Sequence, residues 1–63
     1  MANEILVVDD NSDIRVLIAG ILKDFGLNVR EAANFDQAMS EINKKLPDAA
    51  IVDVKLDKGD NDG

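Results

Sequence analysis

Residues 5–8, Ile5-Leu6-Val7-Val8, form an unbroken apolar run that stops at the acidic pair Asp9-Asp10. A strand with one wet face would alternate apolar and polar residues. A continuous, β-branched run instead suits a strand covered on both faces, as in a parallel α/β sheet. A second run of the same kind, residues 49–54, carries Asp53. In open parallel sheets, ligands gather outside the carboxyl ends of the strands. If the two runs are neighbouring strands, Asp9, Asp10 and Asp53 converge on one spot. Two unit charges ~4 Å apart at an effective dielectric of ~20 repel by about 4 kcal/mol. Such a cluster persists by holding a proton or a cation. The plainer alternative is that these acids only end strands and solubilise loops. Against it stands Asp53, which is flanked by Val52 and Val54 and costly there without a task.

Two helical stripes separate the runs. Asp9 to Ser12 breaks the apolar pattern, and Ser12 is the expected helix N-cap. Ile14, Leu17, Ile18, Ile21, Leu22 and Phe25 follow at helical spacing and are the expected inner stripe, with Val16 and Ala19 lying off it. Gly26 suits the left-handed position that ends a helix, with Leu27 after it. Residues 27–32 read as a more polar strand suited to a sheet edge. Asn34 and Gln37 have capping-box spacing. Phe35, Ala38, Met39, Ile42 and Leu46 mark the inner stripe of a second helix, and Pro47 ends it. Residues 55–63 mix acids with glycines and have no apolar period after Leu56, so they are expected as a loop. They miss the calcium-loop pattern, because counting from Asp57 puts Gly59 and Asp62 where an acid and a glycine are required.

The order is therefore β-α-β-α-β, in one domain or one part of a domain. Right-handed crossovers, followed in ~98% of such connections, make the strands parallel. Strand order 2-1-3 puts one helix on each face, makes the acid-tipped strands neighbours, and makes their ends the switch point.

Composition narrows the chemistry. The chain has 63 residues and neither Cys nor His, which removes disulfides, thiolate sites and imidazole acid–base catalysis. A net charge of -6 argues against nucleic acid or an anionic membrane as a direct partner. No apolar stretch approaches the ~20 residues of a membrane span, and the polar, acidic N-terminus is unlike a signal peptide, so a cytoplasmic protein is expected. A domain of ~60 residues buries only ~60% of its unfolded surface and is marginally stable alone.

The run from Ile5 through Asp9-Asp10 to Arg15 resembles the opening of a response regulator receiver domain: an apolar strand, an acidic pair, and an Arg five residues after the second acid. The stretch from Pro47 through Asp53 to Leu56 resembles that family's third strand. The resemblance implies the N-terminal half of a flavodoxin-like doubly wound sheet, spanning residues 1–63. It implies that Asp53 accepts a phosphoryl group from a sensor histidine kinase or a histidine phosphotransfer protein. It further implies that Asp9, Asp10, Asp53 and the Lys55 backbone carbonyl hold Mg²⁺. The protein is then a phosphoacceptor of a two-component phosphorelay rather than an enzyme.

Departures temper that picture. Asp57 stands where the family usually has a Pro, and Gly63 comes ten residues after Asp53 where the loop Gly usually comes eight after. The family's later switch hydroxyl and Lys have no counterparts within residues 1–63, which implies impaired phosphoryl acceptance. The alternative reading is a self-associating half-fold with a structural role and no phosphotransfer. Three strands with one helix per face leave apolar surface and a strand edge open, so a homodimer is expected.

Overall fold

The protein's structure is a computed structural model that describes residues 3–53. The elements are β1 (Glu4–Val8), α1 (Ser12–Asp24), β2 (Asn28–Ala32), α2 (Phe35–Lys44) and β3 (Ala49–Val52). The strands form one parallel sheet in the order β2-β1-β3. This is the expected α/β architecture. Residues 54–63, with the expected loop and Lys55, Asp57 and Gly63, lie outside the described residues.

β1 lies between the other two strands, and its apolar residues 5–8 are buried on both faces, whereas the equally apolar β3 is an exposed edge. Leu6 and Val7 are fully buried, and burial of each such side chain contributes about 1.5–3 kcal/mol. Successive side chains alternate across the sheet. Leu6 and Val8 pack with Ala32 and Ala38, and Ile42 of α2 lies against them. Ile5 and Val7 therefore face the opposite side, where Ala19 of α1 is buried. Among the described residues, α1 and α2 each contact β1 and β2 but not one another. Each helix covers its own face of the sheet.

Local signals explain the element ends. Gly26 has φ 84°, its N–H donates to the Lys23 carbonyl at 2.9 Å, and the Leu27 N–H donates to the Leu22 carbonyl at 3.2 Å. This is a Schellman ending of α1. Asn34 caps α2 by accepting from the Gln37 N–H at 2.8 Å. Gln37 Oε1 reaches one residue further back than a standard capping box and accepts from the Ala33 N–H at 2.8 Å.

Four expectations are corrected. The N-cap of α1 is Asn11, not Ser12: its Oδ1 accepts from the N–H groups of Asp13 and Ile14 at 3.0 and 3.2 Å, and Ser12 is the first helical residue. The turn after β1 is one residue shorter than expected, and Asn caps as well as Ser. The inner face of α1 is also rotated. Ala19, expected off the stripe, is 2% exposed, whereas Ile14, Leu17, Ile21 and Phe25 are exposed, Phe25 at 77%. The helix lies close over β1 and β2, where a small side chain fits, and neither helix contacts β3 among the described residues. On α2, Ala38 is buried while Phe35 and Met39 are exposed, for the same reason, and Leu46, expected on that helix, lies past its end and is exposed. Finally, β3 ends at Val52, so Asp53 follows the strand rather than lying within it.

At the far end of the sheet, Arg30 ties α2 to the strands. Its Nη1 donates to the Glu41 carbonyl at 2.9 Å and to Glu41 Oε1 at 3.2 Å, and its Nη2 donates to the Lys45 carbonyl at 2.6 Å. The same Nη2 lies 3.3 Å from Glu4 Oε1.

Candidate functional site

The carboxyl ends of β1 and β3 form the site, and the sheet register places its acids. Val8 pairs with Ala32 on one side and Val52 on the other. One residue further, the Asp9 N–H donates to the Ala32 carbonyl at 3.1 Å and the Asp53 N–H donates to the Val8 carbonyl at 2.9 Å. Asp9 and Asp53 thus leave the two strands at adjacent ladder positions, with Asp10 next in the turn. Each of the three contributes a carboxylate oxygen to a group whose members all lie within 4.8 Å of one another.

The three are held differently. Asp9 is 3% exposed, and its Oδ1 accepts the Asn11 N–H at 2.9 Å. Its backbone carbonyl accepts from Arg15 Nη1 at 2.9 Å. The same guanidinium pairs through Nε with Glu31 Oε1 at 3.1 Å. Asp10 and Asp53 are exposed. The donor set is entirely hard oxygen, in a chain with no His or Cys. That chemistry suits Mg²⁺, which takes a few carboxylates and keeps several waters, and does not suit zinc.

The structure therefore brings together Asp9, Asp10 and Asp53, while Lys55 lies outside the described residues. Reading the sequence for chemistry did not find Asn11 as a partner of Asp9, nor the bridge from Arg15 to Glu31. The bridge had one legible signal. Glu31 alternates onto the same face of the sheet as Val29, the face beneath the first turns of α1.

Comparison with known proteins agrees with this geometry. The family model described as "Response regulator receiver domain" matches residues 5–63. The chain belongs to the response regulator receiver family. It is similar to the nitrogen assimilation regulatory protein NtrX of Azorhizobium caulinodans, at 43% identity over the whole chain and 14% of that protein. It is also similar to the phosphate regulon transcriptional regulatory protein PhoB of Escherichia coli K12, at 36% identity over 94% of the chain and 26% of that protein. A crystal structure of NtrX from Brucella abortus in complex with ADP superposes with a TM-score of 0.84 at 49% identity, covering 90% of this chain and 13% of that one. The chain thus spans about an eighth to a quarter of the length of these relatives. Receiver domains of response regulators are signalling domains, and the fold and the family agree on that class for this chain. No helix among the described residues is long and apolar enough to cross a membrane.

Proposed function

We propose that this receiver accepts a phosphoryl group on Asp53 from a phosphohistidine of a sensor histidine kinase or a histidine phosphotransfer protein. The observation that carries the reading is the meeting of Asp53 with Asp9 and Asp10 within 4.8 Å at the ends of adjacent parallel strands. Asp9, Asp10 and Asp53 would hold Mg²⁺, with the Lys55 carbonyl as the further ligand that the family resemblance implies. When bound, the ion offsets the negative charge of the carboxylates and of the incoming phosphate oxygens.

The remaining work belongs to the chain. An Asp53 carboxylate oxygen attacks phosphorus in line as the P–N bond to the donor imidazole breaks. The bonding pair leaves with the ring nitrogen, and an aspartyl phosphate forms. Asp9, buried and held by the Asn11 N–H, keeps its carboxylate aimed at the same spot. Asp53 is consumed as a stoichiometric acceptor rather than turned over. The net charge of -6 supports a protein partner over nucleic acid, and a kinase donor of this class places the reaction in the cytoplasm.

Incubation with a small phosphodonor and Mg²⁺, followed by mass spectrometry, tests the reading. One phosphoryl group on Asp53, absent in Asp53→Asn, is expected. Modification at Asp57 instead, or at no residue, overturns it.

Self-association is a second element of the proposal, favoured by the exposed apolar flank of Ile14, Leu17 and Ile21 on α1 and Phe25 at its C-cap. Such a flank marks an interaction site, and a two-fold homodimer closes it most simply. Sedimentation at micromolar concentration is expected to show a dimer, and a compact, cooperatively folded monomer would refute it.

A further inference from the structure

We infer that Arg15 is a positioning residue for the acid site: it fixes the Asp9–Asp10 peptide, and with it the direction in which Asp10 leaves the chain, by bridging α1 to Glu31 of β2. The inference rests on the reading of the carboxylates as a cation site. Three bonds converge on Asp9. Its N–H is held by the Ala32 carbonyl at 3.1 Å, its Oδ1 by the Asn11 N–H at 2.9 Å, and its carbonyl by Arg15 Nη1 at 2.9 Å. The first two fix the Asp9 backbone nitrogen and side chain. Among the described residues the Arg15 bond is the one that fixes the carbonyl, and the plane of that peptide sets where Asp10 begins.

Arg15 is itself anchored at both ends. Its backbone N–H donates to the Asn11 carbonyl at 2.9 Å in the first turn of α1, and its Nε pairs with Glu31 at 3.1 Å. The planar fork of a guanidinium can serve a carbonyl and a carboxylate at once, and an ammonium holds such a pair poorly.

Charge and positioning predict opposite signs. If Arg15 acted only as a positive charge near the site, its removal would tighten cation binding. If it positions the acids, its removal loosens binding, by about 10-fold or more as for partners that orient metal ligands. The test is a Mg²⁺ titration followed by amide NMR shifts in the wild type, Arg15→Ala, Arg15→Lys and, as a control, Arg30→Ala, at a temperature where all are folded. The expected order of affinity is wild type, then Arg15→Lys, then Arg15→Ala, with Arg30→Ala within about twofold of wild type because the Arg30 side chain alternates onto the opposite face of the sheet from Glu31 and its guanidinium reaches Glu4 and α2, away from the acids.

Amide hydrogen exchange in the absence of metal supplies an independent readout. The Asn11 N–H should exchange faster in Arg15→Ala than in wild type and unchanged in Arg30→Ala. Wild-type binding with equal or tighter binding by Arg15→Ala, or unchanged Asn11 exchange, overturns the inference while leaving the site reading intact. A wild type whose amides ignore Mg²⁺ defeats both.

Discussion

Replacing Asp53 by Asn should stabilise the metal-free protein and blunt its response to Mg²⁺. Oxygens of Asp9, Asp10 and Asp53 lie within 4.8 Å of one another. At that separation a pair of unit charges repels by about 0.9 kcal/mol in bulk water and about 3.5 kcal/mol at an effective dielectric of ~20. Asp10 and Asp53 are exposed, so the lower end of that range governs. The substitution removes two of the three repulsive pairs, a repulsion of about 1–2 kcal/mol at low ionic strength, where screening is weak. In a domain this small, each kcal/mol moves Tm by roughly 4–8 °C. Magnesium reverses the balance. At a concentration 100 times its Kd it would stabilise wild type by about 2.7 kcal/mol, and a variant binding about tenfold more weakly would gain about 1.4 kcal/mol. The advantage of Asp53→Asn should therefore shrink by about 1.3 kcal/mol on adding Mg²⁺. Thermal melts followed by far-UV circular dichroism, with and without Mg²⁺, measure both quantities. A metal-free Asp53→Asn less stable than wild type, or a stability gap that ignores Mg²⁺, would rule out repulsion within a shared cation site.

Three further outcomes are expected. Asn11→Ala should cost about 0.5–2 kcal/mol as loss of a helix cap, while Ser12→Ala stays within ~0.5 kcal/mol as an ordinary surface change; urea melts showing the reverse order would restore Ser12 as the cap. Gly26→Ala should cost about 1–2 kcal/mol, because the residue sits at φ 84° and an added Cβ meets no atom of the described residues within 4 Å, leaving the backbone conformation as the penalty; a neutral result would show that the helix end relaxes freely. Leu17→Glu, on the exposed flank of α1, should shift sedimentation towards monomer with little change in the far-UV spectrum, and an unchanged assembly would exclude that flank from the contact.

The architecture was legible because its signals are local or topological. The unbroken Ile5-Leu6-Val7-Val8 run suits a strand covered on both faces, right-handed crossovers make the strands parallel, and order 2-1-3 is the one that puts a helix on each face. Gly26 and the Asn34–Gln37 spacing marked helix ends, because each supplies a backbone conformation or hydrogen bond that few residues can. Convergence of Asp9, Asp10 and Asp53 followed from the same topology.

What stayed hidden depends on how close the elements come. The apolar arc of α1 is wider than the strip that β1 and β2 can cover. Hydrophobicity ranks Leu17 and Phe25 above Ala19, yet the close seat over the sheet selects the small side chain. Asn11 and Ser12 are comparable caps, so one residue in the length of a turn decided between them. The Arg15–Glu31 bridge joins residues on a helix and an edge strand. Only the register that aligns Glu31 with Val7 brings them together.

The claim beneath all of this is that Asp9, Asp10 and Asp53 act as one cation site. A residue-resolved NMR titration with Mg²⁺ tests it most directly. If the three do act as one, the amides of residues 9–11 and of Val52 and Asp53 shift together along a single binding curve, while those of Glu4, Asn28 and Lys45 at the far end stay still. Separate midpoints for the two segments, or movement in only one of them, would contradict it.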